Sequence, residues 1–341
     1  MNQENLNIIA LHNISSVKEE GDIKILYSYP QDVEIIKNIK KLQYNVSSVF
    51  FEEDKVKELK EDNSLVFNLC DAFVNPEDEL KLIEDLEKYK ISYTGCSALT
   101  TKICQNKYEL KKLLEKMNIK CPRGQLFRNS EQKLDDNLGF PLILKLIDEN
   151  GSLGIDEDSV VFNEEQLRKK LSQLFSTFNK LILVEEYIEG REFNVPLIGN
   201  KNPERLAILE TDYSQHFEDK PKILTYKAKW SKNSLDFKNT YSIIAELFKE
   251  DEEKIYSTAI AAYKAVLCTG YASVDLRQDK NGEIYVLEVN PNCYIAPESD
   301  ILKATISKGL SYDQLLDKII NYAVERFSLK NSIIISEKII N

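Results

Sequence analysis

The segment Tyr271-Ala-Ser-Val-Asp-Leu-Arg277, followed by Ile284-Tyr-Val-Leu-Glu-Val-Asn-Pro-Asn292, constrains this chain more than any other. Two β-rich runs flank the turn Asp279-Lys-Asn-Gly282, which is a hairpin signal. Strand alternation puts Asp275 on one strand and Glu288 and Asn290 on the other, all facing the same side. Three oxygen donors converging from paired strands suit Mg²⁺, whose shell is usually completed by waters and substrate phosphates. A carboxylate and an amide give an apolar strand no stability unless something pairs with them. An ordinary half-exposed hairpin with a polar face gives the same spacing, so the pattern alone leaves both readings open.

At 341 residues the chain has room for two or three domains with cores of their own. Its 45 basic and 56 acidic residues give a net charge of −11, which disfavours general binding to nucleic acid or anionic membranes. No apolar run approaches the roughly 18 residues that span a bilayer, and the first residues carry no secretory pattern, so the cytoplasm is the expected location. Six cysteines lie scattered without a Cys-x-x-Cys pair, and the two histidines, His12 and His216, are far apart. Neither a zinc site nor a disulfide framework is expected. Cys104 and Cys268 read as small buried hydrophobes. Cys293 follows the carboxylate strand, but nothing near it in sequence would lower its pKa.

The first ninety-odd residues alternate strands (Asn7–His12, Ile23–Ser28, Val46–Phe51, Leu65–Cys70) with helical spacing over Asp32–Leu42 and Pro76–Tyr89. That order implies a largely parallel sheet. Asn75-Pro76 is a helix start, and the polar end of Leu65–Asp71 is either a ligand-facing strand end or a turn and cap. Tyr93–Ser97 reads as a linker. Asn106 with Glu109 forms a capping box for the helix Lys107–Met117. Gly139–Lys145 is a strand ending in lysine, Asp148–Gly154 a flexible loop, Val160–Phe162 a strand and Glu164–Phe178 an amphipathic helix. Strands follow at Leu181–Ile188, Glu192–Ile198, Leu206–Asp212 and Ile223–Trp230, then helices at Asp251–Cys268 and Tyr312–Phe327. The tail beyond Phe327 carries no assignment.

Three further patterns bear on chemistry. Lys145 followed by a Gly/Ser loop can cradle phosphate through backbone N–H groups and Ser152, although a surface turn has the same composition and no Walker motif is present. Glu185 follows Leu-Ile-Leu-Val on a strand that should be buried, where it could meet the amino group of a base; Glu192 could accept from ribose. Lys227 and Lys229 alternate on Tyr226–Trp230, as a triphosphate requires and as edge strands also show.

In this order the motifs resemble the ATP-grasp superfamily, and within it the D-alanine–D-alanine ligase-like group. The resemblance is densest at Tyr93–Ala98, Phe140–Ile155, Glu185–Phe193 and Leu287–Asn290. It implies an α/β fold with α+β subdomains: an N-terminal parallel-sheet domain (1–95), a central ATP-grasp subdomain with the phosphate loop (96–180), a C-terminal subdomain with the metal site (181–328) and a tail (329–341). It also implies ATP and Mg²⁺, with Mn²⁺ as a substitute. Lys107 and Lys145 look like the phosphate lysines. Glu149, Asn150, Gly151 and Ser152, on to Gly154, look like the flap over the triphosphate. Glu185 with the backbone of Glu186, Tyr187 and Ile188 looks like the adenine hinge, Glu192 the ribose ligand and Lys229 the γ-phosphate lysine. Asp275, Glu288 and Asn290 look like the metal triad, and Lys229, Arg277 and Ser152 are the candidates for the chemical step.

The departures all fall on the acceptor side. Ser273 stands where the family usually has an arginine, two residues before the first metal Asp. Arg277 shares its face by alternation and could restore the charge, or could point outward into solvent. Leu11–Ser16 replaces the glycine-rich turn and Glu that hold a first D-alanine, and Pro291–Pro297, with bulky Tyr294, replaces a run of small residues. The expectation is an ATP-dependent ligase joining a small-molecule carboxylate to an amine other than a second D-alanine. Transfer to a carrier-protein thiol and a catalytically silent nucleotide-binding regulator are the alternatives. A homodimer is expected from the resemblance.

Overall fold

The structure, a computed structural model, describes residues 6–20, 23–70, 76–149, 151–215, 217 and 220–339; of residues 19, 20, 23–25 and 329–339 it describes the backbone alone. Asp71, Asn75, Asn150 and His216 lie outside the described residues.

The N-terminal part orders as β1 (Asn7–His12), β2 (Ile14–Glu20), β3 (Ile23–Ser28), α1 (Pro30–Lys41), β4 (Asn45–Phe50), β5 (Ser64–Asn68) and α2 (Pro76–Lys88). β4, β1 and β5 pair in parallel, as strand–helix alternation requires. Ile23–Ser28 does not join them. It folds back on β2 as a separate antiparallel hairpin with Leu26 and Tyr27 exposed. The polar run Lys18-Glu19-Glu20 hid that partner strand in the sequence. One face of the parallel sheet packs Ile9, Leu11 and Val66 against α2 through Leu82, Ile83 and Leu86. The other packs Ile8, Leu65 and Phe67 against α1 and the closing helices α9 (Asp300–Ser307) and α10 (Tyr312–Ile339), so the chain's two ends share one core.

Tyr93–Ser97 is a fixed connection rather than a loose linker. Tyr93 is buried and bridges to Val66 of β5, and Arg326 of α10 donates to the Tyr93 and Gly95 carbonyls. Gly95 has φ +94°, and a Cβ there would sit 2.1 Å from Asn292 Oδ1. Only glycine admits that approach, which lets the Cys96 N–H donate to Asn292 at 2.6 Å.

Next come α3 (Ala98–Gln105), α4 (Lys107–Lys116), β6 (Gly124–Phe127), β7 (Leu142–Leu146), β8 (Val160–Val161), α5 (Glu164–Phe178) and β9 (Ile182–Glu186). Asn106 caps α4 by accepting from Tyr108 and Glu109 N–H, while the Glu109 carboxylate leans to Lys112 instead of completing a capping box. The four strands form an antiparallel sheet in the order β6-β9-β7-β8, filled by Leu144, Leu146 and Val184 against Leu167, Leu171 and Leu174 of α5. The sheet therefore runs to residue 186, past the boundary at 180. Residues 96–121, expected with this sheet, pack instead into the C-terminal core: Cys96, Cys104, Leu110 and Leu114 meet Tyr263, Val274 and Val289. Their apolar face carries no mark of which sheet it will meet.

The C-terminal sheet contains β10 (Gly190–Ile198), β11 (Glu204–Arg205), β12 (Leu209–Asp212), β13 (Tyr241–Ile244), β14 (Tyr271–Asp279) and β15 (Ile284–Pro291), in the order β13-β12-β10-β14-β15 with β11 on β10. Between β12 and β13 lie α6 (Tyr226–Trp230) and α7 (Leu235–Lys238), and α8 (Lys249–Ala265) covers the sheet. Tyr226–Trp230 is thus one helical turn where alternation suggested a strand. Thr225 caps it by accepting from Ala228 N–H, and Ala228 is its buried residue. Lys227 and Lys229 consequently do not share a face. The helix that begins at Tyr312 continues through the unassigned tail to Ile339. Among the described residues no helix is long and apolar enough to cross a membrane.

Candidate active site

The hairpin forms as its alternation demands. β14 and β15 pair with Asp275 opposite Glu288 and Ser273 opposite Asn290, and a bulge follows Asp275. Asn290 Nδ2 donates to Asp275 Oδ2 at 2.8 Å, which leaves the Asn290 oxygen for another partner. Asn194 of β10, opposite Asp275 in register, donates to the other carboxylate oxygen at 2.6 Å. Burial first, and the Glu288 charge second, push the Asp275 carboxyl up to about 6. Glu288 shifts the other way: burial opposes ionisation, but Lys107, Lys229 and Lys145 outweigh it and hold the carboxyl low.

These residues fit a hard divalent cation. The donors are all oxygens, two of them carboxylates pressed together, and Asn194 Oδ1 is buried without a hydrogen-bond donor. Among the described residues no cluster of three His, Cys, Asp or Glu could hold a metal, so the amide of Asn290 is integral to this one.

The lysines converge from three elements. Lys107 begins α4, is 6% exposed, and donates to the Glu149 carbonyl at 2.5 Å with Glu288 at 3.8 Å. Lys145, on β7, lies 2.7 Å from Glu185 of the neighbouring β9, and Lys111, one turn after Lys107, lies 2.8 Å from the other Glu185 oxygen. Glu185 is 1% exposed. Burial pushes its carboxyl up, but the two lysines overcome that and hold it low. The two short contacts hold the buried carboxylate from either side. Lys229, exposed on α6, acts electrostatically on both Asp275 and Glu288.

The hinge and loop place other expected residues differently. Glu186 turns its side chain to Arg123, which donates through its backbone N–H at 3.0 Å and Nε at 2.9 Å; Tyr187 N–H donates to the Pro141 carbonyl at 3.0 Å. The Glu149 carboxylate pairs with Lys180, and its backbone carbonyl accepts from Lys107. Gly151 and Ser152 both adopt positive φ, and this turn is tied to α6: Trp230 Nε1 donates to the Gly151 carbonyl at 2.9 Å, and Tyr226 N–H to Ile155 at 3.0 Å. The helix that carries Lys229 and the loop are therefore joined.

Arg277 does not point into solvent but is held at Glu192 and the hinge. It is 3% exposed, with Nε donating to Glu192 at 3.2 Å and Nη1 to the Ile188 carbonyl at 2.8 Å. A further bond reaches the Lys222 carbonyl, and the guanidinium lies 5.2 Å from the Tyr187 ring centre. Tyr213 also donates to Glu192, at 3.1 Å. Arg277 stands directly opposite Glu192 in the β10–β14 register, and that carboxylate holds its guanidinium at the hinge end. Ser273, 5% exposed, lies against the Cys293 thiol, which burial pushes up to about 12. That thiol is not a ready nucleophile.

Lys111, Asn194, Tyr213 and Trp230 were not foreseen. Lys111 follows Lys107 by four residues and Asn194 follows Glu192 by two, spacings that put each on its predecessor's face. Tyr213 sits on an irregular segment, and Trp230 ends a single helical turn that alternates like a strand in sequence, so neither offers such a signal.

Two antiparallel sheets, one bringing a lysine and hinge glutamates and the other paired carboxylates, with a glycine-containing loop between them, define the ATP-grasp class of ligases. The sequence profile described as "D-ala D-ala ligase C-terminus" matches residues 104–321, more than half of the chain. D-alanine–D-alanine ligase A of Bacillus cereus is 30% identical over 243 residues, covering 70% of this chain and 74% of that protein. An uncharacterised protein, y4sG of Sinorhizobium fredii, is 28% identical over 265 residues, covering 78% of this chain and 76% of its own. The crystal structure of a D-alanine–D-alanine ligase from Bacillus anthracis complexed with ATP superposes with a TM-score of 0.73 at 24% identity, over 95% of this chain and 99% of that one; this likeness speaks to the fold. The chain belongs to the D-alanine–D-alanine ligase family, whose members are ATP- and Mg²⁺-dependent C–N ligases.

Proposed function

We propose that this protein activates a carboxylate with ATP and joins it to an amine that is not a second D-alanine. The observation that carries the first half is the oxygen set of Asp275, Glu288 and Asn290 with Lys107, Lys145 and Lys229 turned toward it. In this reading Glu185, the Glu186–Ile188 backbone and Glu192 hold the nucleoside, and Lys107, Lys145 and the Gly151–Ser152 turn hold its phosphates. Asp275, Glu288 and Asn290 would hold Mg²⁺, which supplies neutralisation of the charge that develops in phosphoryl transfer.

The substrate carboxylate oxygen attacks the γ-phosphorus, the bond to the β,γ-bridging oxygen breaks, and ADP leaves. Lys229 neutralises charge on the transferred group. The amine then adds to the acyl carbonyl, phosphate departs with the carboxylate's own oxygen, and the amine loses a proton. The loop tied to α6 by Trp230 and Tyr226 keeps water from the acyl phosphate. Arg277 and Tyr213 set the Glu192 carboxylate, so Arg277 serves nucleotide binding rather than the chemical step.

The altered acceptor rests on Ser273, which brings a hydroxyl in contact with Cys293 where the family resemblance calls for a cation. It rests also on Tyr294, 43% exposed beside a small cavity of about 20 Å³. Asp32, Asn68, Glu79 and Asn292 line that cavity, at the carboxyl end of the parallel sheet and next to the metal strand. Carboxylates and amides there suit an incoming amine. Incubating the protein with Mg-ATP and a panel of amino acids, D-alanine included, and measuring ADP and phosphate tests this. Turnover with an amino-acid pair other than two D-alanines is expected. D-Ala-D-Ala as the best product would refute the altered acceptor, and no ADP with any amino acid or carrier protein would refute the ligase reading.

A further inference from the structure

We infer that Asn194 is a positioning residue of the metal centre: its side-chain oxygen accepts a hydrogen from a water bound to the cation. The inference rests on reading Asp275, Glu288 and Asn290 as a divalent-cation site. Asn194 stands directly opposite Asp275 in the β10–β14 register, so the two side chains share a face. Its Nδ2 donates to Asp275 Oδ1 at 2.6 Å, while Asn290 Nδ2 occupies the other carboxylate oxygen at 2.8 Å.

That donation fixes the amide. Turned over, its oxygen would face a carboxylate oxygen, and two acceptors would repel. Oδ1 therefore lies on the side of the amide away from Asp275, where it is buried and receives no hydrogen bond. An asparagine serving only the fold would have both ends satisfied, because buried polar groups are almost always paired. Here one end orients a carboxylate and the other is left as an acceptor on the same face. Mg²⁺ keeps several of its waters when protein carboxylates bind it, and those polarised waters are strong donors. Asn194 Oδ1 supplies the acceptor such a water needs, while Nδ2 holds Asp275 for the ion.

The test uses Mn²⁺ as the probe, titrated into the full chain with a saturating non-hydrolysable ATP analogue, free Mn²⁺ being read by EPR. Asn194→Ala is expected to weaken Mn²⁺ binding by about 10–100-fold, and to leave analogue binding in chelator within about twofold. Asn194→Asp keeps an oxygen toward the ion but loses the donor to Asp275, and is expected to bind Mn²⁺ within about threefold of the parent, or tighter. Unchanged affinity in Asn194→Ala overturns the inference. So does an Asn194→Asp variant as weak as alanine, because the donor to Asp275 would then be the whole effect. Should Asn194→Ala fail to fold by circular dichroism, the aspartate variant decides: retention supports the role of the oxygen, and a loss beyond about tenfold overturns it. Failure of the parent protein itself to bind Mn²⁺ refutes the metal reading, a result distinct from either.

Discussion

Replacing Asp275 with asparagine should stabilise the metal-free protein while abolishing its metal binding. Burial and the facing Glu288 move this carboxyl from the ordinary 3.8 up to about 6. That displacement corresponds to roughly 3 kcal/mol between the ionised and neutral forms. The folded state therefore favours the proton: the destabilisation is absent below about pH 4, grows between about 4 and 6, and is complete above that. Asparagine has no charge to bury. Its amide can still meet Asn290 and Asn194, whose own amide is free to turn and satisfy its unpaired oxygen. A net gain of about 1–3 kcal/mol at pH 7.5 follows, or an upward shift in Tm of roughly 1–4 °C at this chain length. Thermal unfolding followed by circular dichroism in chelator, at pH 7.5 and at pH 4.5, measures it. The gap between variant and parent should be fully open at the higher pH and shrink to about a third at the lower. Adding Mn²⁺ with nucleotide should reverse the order, because only the parent binds it. A variant less stable than the parent in chelator at pH 7.5 would refute the claim that Asp275 is held ionised at a cost.

Other outcomes follow from the same geometry. Arg277→Lys cannot reproduce the two-nitrogen grip on Glu192 together with the Ile188 carbonyl, so nucleotide affinity, measured by calorimetry with ADP, should fall about tenfold or more. Unchanged ADP affinity with lost turnover would instead return Arg277 to the chemical step. Lys111→Met leaves Glu185 buried with one cation and should cost about 3 kcal/mol in urea unfolding, part of which Glu185→Gln recovers in the same background. Additive losses would show that the pair is uncoupled. Trp230 is the only tryptophan of the chain and donates to the loop carbonyl of Gly151, so its emission should shift when a nucleotide analogue binds. Trp230→Phe removes that bond, worth about 1 kcal/mol, and should make the loop several-fold more sensitive to limited proteolysis.

Much of this site was legible before any coordinates, because the metal hairpin is local. Asp275, Glu288 and Asn290 lie within 16 residues, and strand alternation alone fixes their face. Lys145 and Glu185 were legible for a related reason, as charged residues interrupting apolar strands. What alternation could not supply was the partner across the sheet. Arg277 shares the face of Asp275 by count, yet the carboxylate of Glu192, opposite it on β10 and 85 residues away, decides where its guanidinium goes. Tyr226–Trp230 alternates like a strand but is capped by Thr225 into a helical turn, so local propensity overruled pattern. The mispairing of Ile23–Ser28 and the allegiance of residues 96–121 were likewise settled by tertiary packing, since an apolar face fits more than one sheet.

Carboxylate activation itself is tested most directly with a substrate amino acid whose carboxylate oxygens are ¹⁸O. With Mg-ATP and the amine, the account predicts ADP together with inorganic phosphate carrying one ¹⁸O atom, transferred as the acyl phosphate breaks down. Release of AMP and pyrophosphate, or phosphate free of the label, would contradict it.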